Sequence, residues 1–368
     1  MRSFLKNTEY SVLIIAVLLV IIGIIGIYSA GYNTNDTTEY KKQIVWAGIG
    51  IFAMLITWII NSDVYKRLAY VGLGVCVLLL IGVLFTTPIN NATSWYNIKG
   101  FNFQPSEITK IIYILALATF IDKVMFKDKK AINKWYNILI ILGLFIIPFI
   151  LILMQPDFGT AIVFLVITFF MLFKAGLSYK YILAILLCVL IAAPLAYYFV
   201  LSPYQQNRIK VFFNPDSDPL NTGYNAIQSR IAIGGGKLFG MGWLNGTQSQ
   251  FGYLPVKSSD FIYSLLSEEF GFICSALVIV GYCIMIVRMF HVSKTASNNY
   301  NSLVATGIAA MFFFHMVENI GMTMGLLPIT GIPLLFVSYG GTSLVTSFIA
   351  LGLILSISSR RKRALFAD

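Results

Sequence analysis

The chain has 368 residues, 58% of them hydrophobic and only 11% charged, with a mean hydropathy of +0.81. Soluble globular chains run at about 45–50% apolar and about 25% charged, so this composition excludes a soluble domain, a disordered chain and a small disulfide-stapled scaffold. The net charge is +11, from 26 Lys and Arg against 15 Asp and Glu. In so apolar a chain that surplus speaks to membrane topology and not to nucleic acid.

Crossing a bilayer takes about 20 apolar residues per helix. Runs of that kind are predicted at 10–30, 43–61, 66–86, 105–121, 137–153, 158–173, 180–201, 262–288, 302–324 and 335–357. The first follows Arg2 and Lys6, is too long for a signal-peptide core and lacks a small-residue cleavage site, so it is read as a retained span. The fifth and sixth are parted only by Gln155-Pro156-Asp157, a tight hairpin. Between the seventh and eighth lies one large non-membrane element, 202–261, with Pro203, Pro215, Pro219 and Pro255 and a helix predicted around Tyr224–Ile233. A loop of that length is unusual without a function of its own. The fold class is therefore an all-α polytopic membrane protein: a single domain over 1–368 with about ten transmembrane helices and one long extracellular loop between spans seven and eight.

An even number of spans puts both termini on one side. That side gathers Arg2 and Lys6, Lys66 and Arg67, the run Lys123, Lys127, Lys129, Lys130 and Lys134, then Lys174, Lys180, Arg288, Lys294 and Arg360-Arg361-Lys362-Arg363. The opposite short loops and span ends hold only Lys41, Lys42, Lys99 and Lys110. Basic residues stay on the cytoplasmic side, so both termini are expected in the cytoplasm and the long loop outside. The four cysteines lie inside apolar runs with neither C-x-x-C pairing nor metal-ligand spacing.

Charged groups at the edge of or within hydrocarbon are functional candidates, because burying them costs several kcal/mol. Asp260 stands where the long loop enters the eighth span. A desolvated carboxylate there has a raised pKa and is a better proton acceptor; capping of the span by Ser258, Ser259 or Asp260 is the alternative. Glu107 and Lys110, three apart at the opening of the fourth span, either form a structural ion pair or line a polar cavity. Asp157 reads as a cap of the sixth span or as a site residue. Glu268 and Glu269 must face protein, in a structural or a site role, and His315 and Glu318, spaced i,i+3, are read as making interhelical bonds, with a metal pair as the alternative. Arg208, Lys210, Arg230 and Lys237 in the long loop are either solvated surface charges or holders of a pyrophosphate. Gly234-Gly235-Gly236-Lys237 is no P-loop, since Leu238 follows the lysine and no strand precedes it. Asn91-Ala92-Thr93 is a sequon of the kind that arises by chance.

Several segments taken in order carry a resemblance. They are Ser94-Trp95, Phe103-Gln104-Pro105-Ser106-Glu107 with Lys110, Gln155-Pro156-Asp157-Phe158-Gly159-Thr160, Asn214-Pro215, Gly223-Tyr224-Asn225-Ala226-Ile227-Gln228-Ser229, Ser259-Asp260-Phe261-Ile262, Glu268-Glu269-Phe270-Gly271 and Gly331-Ile332-Pro333 through Ser338-Tyr339-Gly340-Gly341-Thr342-Ser343. Along nearly its whole length the chain resembles the SEDS (shape, elongation, division, sporulation) membrane glycosyltransferases. The Gly-Ile-Pro form of the last motif is similar to the elongation (RodA) branch more than to the division (FtsW) branch.

The resemblance implies a peptidoglycan glycosyltransferase of the bacterial cytoplasmic membrane, polymerising lipid II into glycan strands on the outer face beside a class B penicillin-binding protein. It places the essential acid/base aspartate on Asp260 and the family's other motif residues on Glu107, Lys110 and Asp157. Arg208, Lys210, Arg230 and Lys110 are the expected cations for the departing pyrophosphate, and a divalent cation, Mg2+ or Mn2+, held partly by Asp260 is the alternative. Where many members carry Pro-Glu-x-His-Thr-Asp, this chain reads Pro255-Val256-Lys257-Ser258-Ser259-Asp260, so the aspartate stands without its usual neighbours. The competing function is a lipid II flippase, which also needs ten spans and an amphipathic cavity.

Overall fold

The computed structural model describes residues 7–361 apart from 35, 89–91, 99–100, 129, 200 and 220–221. Arg2, Lys6, Asn91, Lys99, Lys129, Lys362 and Arg363 therefore lie outside the described residues. Thirteen helices occur among those described. In order they are α1 (Tyr10–Gly31), α2 (Thr38–Ile59), α3 (Ser62–Val83), α4 (Pro105–Lys127), α5 (Trp135–Leu153), α6 (Phe158–Lys174), α7 (Tyr179–Phe199), α8 (Pro203–Phe213), α9 (Thr222–Gly235), α10 (Thr247–Gln250), α11 (Ile262–Thr295), α12 (Asn299–Met324) and α13 (Gly341–Ser359).

Each of the ten predicted spans coincides with a helix. Seven of these, α1, α2, α3, α5, α11, α12 and α13, are long and apolar enough to cross a membrane. α4 is long enough but carries Glu107, Lys110, Asp122 and Lys123, and α6 is a shorter apolar helix. The tenth span was expected from residue 335, whereas α13 begins at Gly341. Leu334–Val337 is apolar and buried, but it forms a turn: Leu334 N donates to Ser338 Oγ at 2.9 Å, and that hydroxyl donates to Ser259 O at 2.6 Å.

The packing separates two kinds of helix. α4, α12 and α13 are buried on nearly every face, and α1, α2, α3, α5, α6 and α11 surround them. Outer helices turn bulky apolar side chains outward, among them Leu18, Phe52, Leu78 and Ile147. In water such surfaces would aggregate; in lipid they are solvated, while each helix satisfies its own backbone. α11 is broken at Gly271, whose φ of +76° excludes an ordinary side chain and whose Cβ, if present, would lie 2.3 Å from Gly240 N. The backbone groups freed at the break pair with the neighbouring loop: Met241 N donates to Glu268 O (2.9 Å), Gly242 N to Glu269 O (3.0 Å) and Phe272 N to Lys237 O (2.8 Å).

Residues 202–261 contain α8, α9 and α10, so the long loop is an ordered cap on one end of the bundle. α8 starts where Ser202 supplies a capping box with Gln205 and proline occupies the first turn. α9 covers the helix expected around Tyr224–Ile233 and extends it at both ends. A short antiparallel hairpin, β1 (Tyr96–Ile98) with β2 (Phe101–Phe103), lies at the same end, and its Phe101 ring packs edge-on against Trp46 at 5.6 Å.

Candidate active site

Under this cap lies a cavity of about 430 Å³. Its walls come from α2 (Lys42, Trp46), the hairpin, the start of α4 (Gln104, Glu107), the 155–157 turn, α8 (Tyr204, Arg208), the segment before α11 (Val256, Ser259, Asp260), the 328–333 segment and the start of α13. The sequence brings these together through polar groups placed where helices begin. Gln104 Nε2 donates to Asp157 Oδ2 at 3.0 Å, tying the α4 entry to the turn, and Gln205 Nε2 donates to Pro156 O at 3.2 Å, docking α8 on the same turn.

Asp260 is half-buried on the cavity wall. The capping alternative does not hold: α11 has Phe261 at its N-cap and no side chain bonds its first turn. Burial pushes the Asp260 carboxyl above the ordinary aspartate range, while the Arg208 guanidinium and a bond from Ser259 oppose that rise. Arg208 is fixed by three contacts. Nη1 donates to Thr330 O at 2.8 Å, Nη2 donates to Tyr204 Oη at 2.7 Å, and the guanidinium lies 4.6 Å from the Tyr204 ring centre. Its Nε is buried and makes no hydrogen bond among the described residues. Between the two stands Gly331, at φ +82°, where a Cβ would come within 3.3 Å of Asp260 Oδ2 and 3.6 Å of Arg208 Nη1. Only glycine leaves that space open.

Gly331→Ala is therefore expected to be doubly unfavourable, costing about 1–2 kcal/mol in backbone strain and filling the gap between carboxylate and guanidinium. The expected reading is a strong loss of activity at this site with a modest fall in melting temperature.

Glu107 and Lys110 form a buried ion pair at 2.9 Å, with side chains only 2% and 1% exposed. Lys110 Nζ also donates to His315 Nε2 at 3.0 Å. A lysine ammonium can only donate, so Nε2 is the accepting nitrogen and Nδ1–H donates to Pro333 O at 3.0 Å. Glu107 reaches the cavity wall; Lys110 lies behind it. Asp157 both caps and lines the cavity: Oδ1 accepts from Thr160 N at 3.1 Å at the start of α6. Burial pushes its carboxyl up, and the bonds from Thr160 counter that.

Asp260, Arg208, Asp157 and Glu107 are thus brought together, with Lys110 beneath them. Lys210 and Arg230 are not among the cavity's lining residues. Lys210 is exposed on α8. Two residues along a helix point to nearly opposite sides, so Arg208 and Lys210 cannot face one cavity. Arg230, on α9, lies along Gly325 and shares a small crevice with the far side of Arg208. Lys237 is exposed beside the break in α11.

Glu268 accepts from Gln248 N (2.6 Å) and Ser249 N (2.9 Å), and Glu269 accepts from Ser29 Oγ (2.6 Å) and Gln250 Nε2 (2.7 Å). Their role in this structure is to hold α10 against α11 and α1. His315 makes the expected interhelical bond, to Lys110 on α4, whereas Glu318 bonds Thr330 in the non-helical segment that follows α12. Lys42 and Trp46 were not among the predicted site residues, yet both line the cavity. Their signal was a lysine just before the second span and a tryptophan four residues on, one helical turn away.

The donor set does not fit a resident metal ion. Among the described residues no three His, Cys, Asp or Glu side chains are grouped to hold one, and Asp260 faces a guanidinium. A Mg2+ or Mn2+ there would draw its remaining ligands from substrate phosphate and water.

Comparison with known proteins bears on this geometry. The family model for the cell cycle proteins FtsW, RodA and SpoVE matches residues 9–363. The chain belongs to that family. Among its relatives, the peptidoglycan glycosyltransferase RodA of Treponema pallidum is 36% identical over 97% of this chain and 98% of that protein. The peptidoglycan glycosyltransferase MrdB of Escherichia coli is 34% identical over 97% and 95%. The stage V sporulation protein E of Bacillus subtilis is 34% identical over 96% and 97%. Among solved structures, a chain of a peptidoglycan synthase complex that coordinates polymerization and crosslinking superposes with a TM-score of 0.81 at 26% identity, covering 97% of this chain and 99% of that one. The RodA of Thermus thermophilus shares the fold, with a TM-score of 0.72 at 24% identity over 97% and 98%. This member of the FtsW/RodA/SpoVE family is a polytopic, all-α membrane protein.

Proposed function

We propose that this chain is a peptidoglycan glycosyltransferase that polymerises lipid II on the outer face of the bacterial cytoplasmic membrane. Both termini lie in the cytoplasm, and a class B penicillin-binding protein supplies the cross-linking. The names of relatives matching almost the full chain support the activity, and the synthase-complex neighbour supports a partner. The observation that carries the chemistry is Asp260 opposite Arg208 across Gly331, on one wall of a cavity at the capped end of the bundle.

In this reading the Asp260 carboxylate accepts the proton of the acceptor sugar's 4-hydroxyl. The freed oxygen attacks the anomeric carbon of the donor from the face opposite the leaving group. The carbon–oxygen bond to phosphate breaks, its electron pair leaves with undecaprenyl diphosphate, and the sugar inverts. Arg208, held by Thr330 and Tyr204 on the cavity wall, is placed to meet the charge that develops on the leaving group. Desolvation makes Asp260 a stronger base than an aspartate in water, whose pKa is about 3.9.

Purified protein with lipid II in detergent tests the reading. Glycan polymer is the expected product, because an enzyme needs no second compartment. Folded wild-type protein that makes none would favour the flippase.

The rate should also follow pH through Asp260. Only the ionised carboxylate accepts a proton, so activity should fall as the pH drops through a midpoint lying above about 3.9. Arg208 holds that midpoint down. Arg208→Gln should therefore move the acid limb of kcat/KM to higher pH as well as slow the reaction.

A further inference from the structure

One buried amide at this site belongs neither to the proton acceptor nor to the cation. Asn319 lies on α12 and is fully buried. Its Nδ2 donates both hydrogens, to Asp260 O at 3.0 Å and to Ile332 O at 2.9 Å. The two carbonyls belong to segments far apart in sequence: the entry to α11 and the stretch between α12 and α13. Two neighbours on α12 fasten the second segment as well. Glu318 accepts from the Thr330 hydroxyl, and His315, one turn back, donates to Pro333 O at 3.0 Å. Residues 330–333 are thereby pinned along one helix face, and they carry the Thr330 carbonyl that fixes Arg208 and the Gly331 gap beside Asp260. Among these three side chains, Asn319 is the one that also holds the backbone of Asp260.

We propose that Asn319 is a positioning residue for glycosyl transfer: by bridging the Asp260 and Ile332 carbonyls it sets the spacing of the Asp260 carboxylate from the Arg208 guanidinium. The chemistry suits the task. A primary amide is a neutral group that offers two hydrogens from one planar nitrogen at a fixed angle, and no charge has to be buried to obtain them. Because Asn319 is fully buried, these bonds are not exchanged for solvent, so their geometry carries through to the residues they hold. Apolar packing at this position could fill the space and would leave the two segments free to slide past each other.

The inference rests on Asp260 being the proton acceptor. Its test compares initial rates of glycan formation against lipid II concentration for wild type, Asn319→Leu and Asn319→Ser, with the melting temperature of each protein. Leucine matches the shape without donors, and serine keeps one donor too short to span both carbonyls. Displacing a reacting group by about 1 Å costs on the order of 100-fold in rate, so kcat should fall about 100-fold in each folded variant while KM stays near wild type. Should Asn319→Leu fail to fold, Asn319→Ser decides alone. Wild-type kcat in a folded variant overturns the proposal. So does a parallel change in KM and kcat, or the failure of both variants to fold, since the amide would then serve the bundle and not the reaction. A wild-type protein that makes no glycan removes the underlying function, and with it this inference, in a control arm independent of residue 319.

Discussion

Asp260→Asn is expected to stop glycan polymerisation while leaving the protein folded and inserted. The amide has the volume of the carboxylate but cannot take up the sugar hydroxyl's proton at neutral pH. Positioned proton acceptors contribute about 10²–10⁴-fold in rate, so the residual activity should be near the limit of detection. The fold has little reason to respond. Asp260 caps no helix, its backbone carbonyl keeps the bond from Asn319, and Arg208 keeps its bonds to Thr330 and Tyr204. Initial rates with lipid II and a melting curve in the same detergent separate the two effects. A folded variant that polymerises at the wild-type rate would remove the carboxylate from the chemistry.

The second large effect is on stability. Lys110→Met should cost about 3–5 kcal/mol, because removing one member of a buried pair leaves the other charge uncompensated. Glu107 is poorly placed to find a substitute: it is 2% exposed, and its Oε2 already lacks a hydrogen-bond partner among the described residues. His315 Nε2 would lose its donor at the same time. Pairing Lys110→Met with Glu107→Gln should recover much of the loss, since a neutral replacement of both partners avoids the buried charge. Denaturation in detergent reads both variants, and a double variant as unstable as Lys110→Met alone would contradict the assignment of that cost to an unpaired carboxylate.

The spans could be read from the sequence because lipid imposes length and apolarity on every crossing helix. That rule weakens where apolar residues are buried without forming a helix. Leu335–Val337 was read as part of the tenth span, but the backbone turns there, with Leu334 N tied to Ser338, and α13 waits for Gly341. The paired roles of Glu107 and Lys110 followed from their i,i+3 spacing, and the capping by Asp157 followed from its position after a proline turn. Asp260 was ambiguous for a physical reason: a carboxylate before a helix caps it or faces away from it according to how the preceding loop packs. Here Tyr339 N donates to Ser258 O and Asn319 to Asp260 O, and those contacts are tertiary. The basic residues of the long loop illustrate the same limit. Arg208 and Lys210 are equivalent as composition, and only the rotation of α8 on the 155–157 turn places Arg208 inward and Lys210 in the open. Thr330 carries no charge to draw attention and Gly331 stood out only as part of the Gly-Ile-Pro motif; their places beside Arg208 and Asp260 become visible only once α8 and α12 close on them.

The most direct test is a structure of Asp260→Asn with lipid II bound. The saccharide's 4-hydroxyl should lie within hydrogen-bond distance of residue 260 and the diphosphate against Arg208. A diphosphate seated instead on Lys210 and Arg230, with no sugar hydroxyl near residue 260, would contradict the placement of the reaction in this cavity.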